Sequence, residues 1–332
     1  MRALVRALTL ASCCLILPSA ASAATVGLSD DGSRFVFRSG HEASDMIIRF
    51  APGVGFEVPY TGGALIAGPG CVPGPPVTCD AFANWDITLG SGDDRSKGPG
   101  AFLVDETVDA GPGDDEVYAN GQRNTVTTGS GDDVGIINSN ARSTLAGNAG
   151  DDRLAGTDQG GAVIDGGPGH DIVAGQNIDS NVLAGGPGAD TIVSRVPATS
   201  RFGGGSADGG SGADVISVPG NGPRDTYAWT LTGGTGSDTI IGSPGTDAVS
   251  GGTGNDTIDV SGAGPADSVS CGPGRDVVHA DADDEVAADC ERVLAGPLDP
   301  SAAIDEALAA ADAFVAQLRH LNTTAFGPLL GD

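Results

Sequence analysis

The feature that most constrains this chain is a hexapeptide rich in glycine and aspartate that returns throughout residues 89–276. The pattern GGxGxD occurs complete five times, beginning at Gly166, Gly185, Gly209, Gly233 and Gly251. Five degenerate copies keep the final Asp and most of the glycines, and they begin at Leu89, Ala110, Thr128, Gly147 and Cys271. Self-similarity at a fixed period is the signature of a repeat architecture, in which each unit packs mainly against its neighbours.

The spacing of the copies defines the repeating unit. Successive final aspartates are 18 to 24 residues apart, and the underlying period is close to 18. Weaker half-copies lie between many of them: Asp247 is nine residues after Asp238 and nine before Asp256, so each long step consists of two nonapeptides. An apolar side chain recurs two residues past the Asp, at Val117, Leu154, Val173, Ile192, Ile216, Ile240, Val249, Ile258, Val269 and Val278.

This pattern predicts an all-β chain. Six turn-forming residues disfavour a helix, and the three that follow are enough for a short strand whose central side chain points inward. Two nonapeptides then make one coil, and stacked coils place like positions about 4.8 Å apart. We therefore expect a parallel β-roll, a β-solenoid of nonapeptide repeats, over residues 89–290. The alternative, a flexible glycine-rich linker, has no apolar spine in register.

The turns offer oxygen ligands. Calcium takes about six to eight oxygens in flexible geometry, and carbonyls together with carboxylates supply them. We therefore predict Ca²⁺ between each turn and the like turn one coil away. On the opposite side of the coil, Asn124, Ser143, Ala162 and Asn181 stand where Asp is needed, which predicts few ions there. From Asp238 onward, half-copies ending in Asp predict ions at both edges.

The hexapeptides resemble the RTX, or haemolysin-type, calcium-binding repeat, over roughly Leu89 to Cys290. The resemblance implies that the sixth-position aspartates bind calcium: Asp94, Asp115, Asp133, Asp152, Asp171, Asp190, Asp214, Asp238, Asp256 and Asp276, with Asp247 of the half-copy. It also implies carbonyl ligands from the first and fourth glycines: Gly166, Gly169, Gly185, Gly188, Gly209, Gly212, Gly233, Gly236, Gly251 and Gly254. Cys271 departs from the pattern, because it replaces a first glycine.

The first 23 residues have the pattern of a secretory signal peptide. Arg2 and Arg6 precede an apolar stretch, and Ala21–Ala23 offers small residues for cleavage. A lipoprotein signal ending at Cys13 is the alternative, but the apolar run before it is short. We therefore expect a secreted protein without a membrane span. RTX toxins typically lack such a cleavable signal, which argues against a toxin.

Charge and cysteines support an extracellular setting. The formal net charge of −28 argues against a nucleic-acid partner and opposes a compact state unless cations neutralise it. Four cysteines follow the predicted signal, and an even number in an exported chain favours disulfides. The short-loop pairings are Cys71 with Cys79 and Cys271 with Cys290; other pairings remain open at this stage.

The two ends of the chain differ from the repeats. Residues 24–88 mix short apolar segments with Gly and Pro turns, and predict a β-rich N-terminal cap or irregular first coils. In the tail 291–332, residues 301–320 predict an amphipathic helix whose stripe includes Ile304, Leu308, Ala311 and Val315. We expect the helix to pack over the last coil; a partner-binding or disordered tail is the alternative.

No catalytic constellation stands out. His41–Asp45 begins like a zinc-protease HExxH motif, but Asp45 occupies the place of the second His. Paired acids recur in register with the turns, whereas an active site needs one distinctive arrangement. We expect a non-enzymatic calcium-binding protein with calcium coupled to folding and a structural, surface or adhesion role, with a possible cell-surface or matrix partner. A secreted polysaccharide-active enzyme on a β-solenoid is the alternative.

Overall fold

A computed structural model of the chain describes fourteen stretches, and everything below refers to them. They are residues 23–29, 33–40, 43–51, 55–61, 65–79, 84–98, 104–139, 141–157, 161–176, 180–195, 204–219, 227–262, 264–299 and 302–324. The predicted signal peptide, up to residue 22, lies outside them, as does the start of the HExxH-like segment. Much of the extra length in the long steps on either side of Asp214 also lies outside them.

Two long sheets run the length of the repeats, with strands from alternate halves of each coil. The first sheet contains, in spatial order, Leu65–Ala67, Ala24–Leu28, Arg34–Arg38, Asn84–Thr88, Glu106–Pro112, Asn124–Ser130, Ser143–Ala149, Ala162–Asp165, Asn181–Pro187, Gly205–Ser211, Trp229–Thr235, Ala248–Thr253, Ser268–Ser270 and Glu285–Val286. The second contains Asp45–Ile47, Arg95–Lys97, Glu116–Ala119, Val134–Ile137, Arg153–Gly156, Ile172–Gln176, Thr191–Arg195, Val215–Ser217, Thr239–Ile241, Thr257–Asp259, Val277–His279 and Arg292–Leu294. The predicted β-roll is confirmed.

The core is two stacked columns of apolar side chains, one from each sheet. The second-sheet column is the predicted one, two residues past each Asp, and Leu154, Val173 and Ile192 in it are fully buried. The first-sheet column includes Val126, Leu145, Ile164, Leu183 and Leu231. Parallel pairing keeps these residues in register, with Val126 opposite Leu145 and Leu154 opposite Val173. Each coil therefore buries its inward-facing apolar residues against the coils on either side.

The N-terminal segment extends both sheets. Arg34–Arg38 pairs in parallel with Asn84–Thr88, and Asp45–Ile47 pairs in parallel with Arg95–Lys97. Asn84–Thr88 in turn pairs with Glu106–Pro112, so the regular stack begins slightly before Leu89. Ala24–Leu28 adds an antiparallel strand beyond them, and the rings of Phe35 and Trp85 stack with centroids 3.9 Å apart.

Both predicted disulfides are present. Cys71–Cys79 joins two strands of a small antiparallel sheet, and Cys271–Cys290 closes the last coil. The strands of the small sheet are Arg49–Ala51, Gly55–Val58, Val77–Cys79 and Cys71–Val72. In a chain-entropy account, a disulfide that closes a loop of this size contributes roughly 3 kcal/mol by restricting the unfolded chain.

The C-terminal helix is present, but the predicted position over the last coil is wrong. The helix spans Ala302–Thr324 and lies against the outer face of the second sheet, where Ala311, Phe314 and Val315 are buried against Ala155, Ala174 and Val193. It contacts the middle strands, from Ile172–Gln176 to Val215–Ser217. Because it ends later than predicted, its last turn has no basic residue. No helix in the described stretches is long and apolar enough to cross a bilayer.

Candidate calcium-binding turns

The sixth-position aspartates form a continuous ladder along one edge of the roll. In each coil the Oδ1 atom accepts a hydrogen bond from the backbone N–H of the Asp one coil earlier. Examples are Asp133 N–H to Asp152 Oδ1 at 2.9 Å and Asp171 N–H to Asp190 Oδ1 at 2.8 Å. The ladder runs without interruption from Asp94 to Asp276. The structure therefore brings the sixth-position aspartates of all ten hexapeptides into one row.

The second oxygen of these carboxylates is buried and accepts no hydrogen bond from the described chain. This holds for Oδ2 of nine residues: Asp115, Asp133, Asp152, Asp171, Asp190, Asp214, Asp238, Asp256 and Asp276. A buried carboxylate oxygen without a donor is costly, because the group has lost water and gained nothing in exchange. One such oxygen per coil is the pattern expected of a ligand row.

Beside this oxygen lies a narrow space in which a Cβ atom does not fit, so the position requires glycine. At Gly185 a Cβ atom would lie 2.5 Å from Asp190 Oδ2 and 2.7 Å from the carbonyl oxygen of Gly209 in the next coil. Gly209 and Gly251 show the same arrangement, with distances of 2.5 to 2.8 Å. Each space is thus bordered by a carboxylate oxygen of one coil and a carbonyl oxygen of the next. Such a pair of donors suits calcium.

The charged state of these carboxylates is unfavourable in the metal-free chain. Burial raises the pKa of Asp115 and Asp152 to about 7, against the lowering effect of the hydrogen bond from the preceding backbone N–H. Burial likewise raises the pKa of Asp171, Asp190 and Asp214 to about 6. Neighbouring aspartates of the row raise the values further. A bound cation would reverse this trend by stabilising the anion.

A family model described as the RTX calcium-binding nonapeptide repeat matches the chain in four copies. The matched residues are 104–134, 142–161, 176–194 and 230–258. The turns within these segments are RTX repeats. RTX nonapeptide repeats bind Ca²⁺, so calcium is the ion of these turns. Searches of the curated proteins and of the solved structures found no significant match.

Steric crowding explains why the fourth position of the RTX turns is glycine. Gly188 and Gly212 have φ of +153° and +139°, a region that side chains rarely adopt. A Cβ at Gly188 would overlap the carbonyl oxygen of Gly169, which points along the stack. These carbonyls line the turns, and their role as calcium ligands stays a prediction.

The donor set of each RTX turn is mixed. Among the described residues, no three or more His, Cys, Asp or Glu side chains gather around a common point. Each turn presents instead one carboxylate and several backbone carbonyls, a combination that calcium accepts because its coordination geometry is flexible.

The opposite edge of the roll has its own ladder of hydrogen bonds. In the N-terminal part of the repeats this ladder consists largely of neutral groups. Asn124 N–H donates to Ser143 Oγ at 2.8 Å, and Ala162 N–H donates to Asn181 Oδ1 at 3.4 Å. Neutral side chains therefore take the place of Asp there, at the positions that sequence reasoning predicted to be ion-poor.

Asp247 departs from the other predicted ligands. Its Oδ1 accepts from Trp229 N–H at 2.9 Å and from Ser243 Oγ at 3.0 Å, and its Oδ2 accepts from Ser243 N–H at 2.6 Å. Donors of the chain thus already occupy both oxygens, and Asp247 does not share the unbonded Oδ2 of the row. The physical reason is Ser243, which occupies the second position of this half-copy, where the strong copies have glycine.

Sequence reasoning missed the residues that end the ladder. At its start, Ser44 donates its N–H and Oγ to Asp94 Oδ1 at 2.6 and 2.7 Å. At its end, Asp276 N–H donates to Glu291 Oε2 at 2.8 Å. Neither residue lies in a hexapeptide. The Asp289–Glu291 segment, one coil beyond Asp276, was the only sequence signal for the second.

Proposed function

We propose that this protein is an exported, non-enzymatic scaffold that folds or stiffens when calcium occupies its RTX turns. The observation that carries the proposal is the row of nine buried Oδ2 atoms that accept no hydrogen bond from the described chain. The repeats and the two disulfides are consistent with an extracellular protein, where calcium is abundant and disulfides persist. A structural, surface or adhesion role follows from the elongated repeat architecture.

Repulsion along the row explains why folding is coupled to the ion. Like positions in neighbouring coils are about 4.8 Å apart, so two adjacent carboxylates repel by roughly 3 to 4 kcal/mol at an effective dielectric constant near 20. Burial in the turns adds a desolvation cost to each charge. Calcium between the coils removes both penalties, and its binding free energy therefore becomes folding free energy.

Repetition also supports the non-enzymatic part of the proposal. The buried acids Asp152, Asp171 and Asp190 have nearly identical surroundings, each with one ladder bond and one Oδ2 that the chain leaves unbonded. An acid–base pair needs two environments that separate the pKa values of its members.

The direct test is a calcium titration of the chelator-treated protein, followed by far-ultraviolet circular dichroism with magnesium as the control. We expect the β signal to rise with calcium and to stay unchanged with magnesium, which prefers smaller octahedral sites and retains its water. A full β signal that does not change with chelator or calcium would contradict the coupling of calcium binding to folding. The solenoid fold itself would still stand.

A further inference from the structure

The first position of the hexapeptide differs between coils, and the difference follows position along the roll. Six consecutive turns begin with glycine: Gly147, Gly166, Gly185, Gly209, Gly233 and Gly251. The turns on either side of this block begin with a side chain: Leu89, Ala110, Thr128 and Cys271. All four of these side chains are fully buried.

These first positions are structurally equivalent. Strand pairing places Gly111 opposite Gly129 and Gly129 opposite Asn148, so the preceding residues Ala110, Thr128 and Gly147 share one register position. A side chain at this position points into the space beside the sixth-position Asp, as the geometry at the glycines shows. For all six glycines, a Cβ atom would lie within 2.8 Å of both the Asp Oδ2 and the next coil's carbonyl oxygen.

Thr128 shows directly what a side chain does there. Its Oγ1 donates to the carbonyl oxygen of Gly147 at 3.1 Å and of Ala146 at 3.4 Å. The Gly147 carbonyl is the counterpart of the next-coil carbonyl that borders the open spaces. The threonine therefore fills the space with its Cβ and also takes up a carbonyl that faces it. Leu89 and Ala110 fill the equivalent spaces with apolar carbon, and Cys271 fills the last with its disulfide.

We propose that, among the ten turns of the ladder, calcium enters only the six that begin with glycine, and that Leu89, Ala110, Thr128 and Cys271 close the other four. The proposal rests on calcium binding by the RTX turns and narrows it. Asp94, Asp115, Asp133 and Asp276 then serve as ladder acceptors without an ion. The chain leaves Oδ2 of Asp115, Asp133 and Asp276 unbonded as well, so on this proposal the unbonded oxygen alone does not mark an occupied turn. The closed turns include Asp115 and Asp133, which lie inside the first segment matched by the repeat family, so the match alone does not distinguish them.

The arrangement divides the roll into a calcium-dependent middle and two calcium-independent ends. Closed turns at the N-terminal end stack on the segment that contains Phe35 and Trp85, whose rings pack in the core. The closed turn at the other end carries the Cys271–Cys290 disulfide. Packing or a covalent bond thus replaces the ion towards the two ends of the stack.

The test is the number of calcium ions bound to the full chain without its signal, measured by isothermal titration calorimetry and by native mass spectrometry. Thr128→Gly opens a closed turn, and we expect it to bind one more ion than wild type. Thr128→Ala is the matched control, because it removes the hydroxyl but keeps the Cβ; we expect the wild-type number. Gly185→Ala closes an open turn without a left-handed φ, and we expect one ion fewer.

The outcomes separate this inference from calcium binding itself. A wild-type count above six, or an unchanged count in Thr128→Gly that still folds as shown by circular dichroism, overturns the inference and leaves calcium binding intact. A wild-type protein that binds no calcium overturns both. If Gly185→Ala fails to fold, the pair Thr128→Gly and Thr128→Ala still decides the question.

Discussion

Each sixth-position aspartate divides its two carboxylate oxygens between two tasks. Oδ1 holds the neighbouring coil through a backbone N–H, and Oδ2 faces the space beside the first glycine. The first task alone sets the stacking of the coils. It explains why the Asp persists in turns whose first position is closed, such as those of Asp115 and Asp133.

Replacing one aspartate of the row should separate the two tasks. In Asp190→Asn the amide oxygen still accepts the ladder bond from Asp171 N–H, but the charge at Oδ2 is lost. We expect calcium affinity at that turn to fall on the order of tenfold or more, since ligand charge tunes calcium sites strongly. In chelator, the variant should unfold at a higher urea concentration than wild type, because one repelling charge is gone.

The control for this variant is Asp283→Asn, which makes the same chemical change at an exposed position. Calorimetry and urea unfolding measure the two effects. Equal calcium affinity in Asp190→Asn and in the control would exclude Asp190 as a ligand.

The raised pKa values predict a pH dependence that changes sign with calcium. The folded-state pKa is about 7 for Asp152 and about 6 for Asp190, against about 3.9 in an unfolded chain. A carboxyl with the higher pKa in the folded state binds more protons there. Its stabilising contribution is thus complete below about pH 4 and is lost as the pH rises through 6 to 7. In chelator, the urea midpoint should be higher at pH 5 than at pH 8.

Saturating calcium should reverse this order, because protons then compete with the ion for the same carboxylates. Urea unfolding at the two pH values, with calcium and with chelator, measures all four midpoints. A midpoint in chelator that rises from pH 5 to pH 8 would show that the row is not protonated in the folded state.

Among individual residues, the ladder aspartates were predictable because they repeat regularly. Residues outside the repeat pattern that contact these aspartates were not predictable. The step of the hexapeptide located all ten members of the ladder. The effect of Ser243 on Asp247 was not predictable, because it depends on a hydroxyl that reaches back four residues. Ser44 belongs to a segment without the repeat, 50 residues from its partner in sequence.

The C-terminal helix covers an apolar stripe on the outside of the second sheet. The stripe consists of residues three past each Asp: Tyr118, Ile136, Ala155, Ala174 and Val193. Ala155, Ala174 and Val193 are fully buried, although they face away from the core between the sheets. The helix therefore gives the middle coils a second, smaller apolar cluster.

The sequence predicted this helix but not its place. The period of apolar residues defined the stripe of Leu308, Ala311 and Val315, and the structure buries or half-buries all three. Its docking site depends on a second apolar column, which lies on the outer face of the coils. The predicted apolar column faces inward and therefore gives no information about this outer face. The outer column is weaker, because it includes alanines and stops at Ser217.

Truncating the helix contact should loosen the helix before the roll. In Phe314→Ala, a buried ring between the helix and the sheet is lost, and a buried Phe→Ala change costs about 3 to 5 kcal/mol in a core. We expect the helix to detach at a lower urea concentration than in wild type, while the β signal keeps its calcium-dependent midpoint. Gln317→Ala, at an exposed position of the same helix, is the control.

Hydrogen exchange followed by mass spectrometry reports on peptides of the helix and of the strands separately. Identical helix midpoints in Phe314→Ala and Gln317→Ala would contradict the docking described above. Loss of the whole fold in Phe314→Ala would instead show that the helix and the roll unfold as a single cooperative unit.

For the molecule as a whole, stability is distributed along one dimension. Apart from the C-terminal helix, each coil packs mainly against its neighbours, so the free energy of folding is close to a sum of coil and interface contributions. The two disulfides lie towards the two ends, and the open glycine turns lie between them. On our proposal, we expect calcium in the middle turns to make the stack behave as one rigid body and its removal to leave separate segments.

The central claim is that calcium lies beside the Oδ2 atoms of one edge, and anomalous scattering from a calcium-loaded crystal tests it most directly. We predict a row of anomalous peaks within calcium–oxygen bonding distance of Asp152, Asp171, Asp190, Asp214, Asp238 and Asp256, and none beside Asp247. A crystal grown in calcium that shows no peaks along this edge, or peaks only along the opposite edge, would contradict the account.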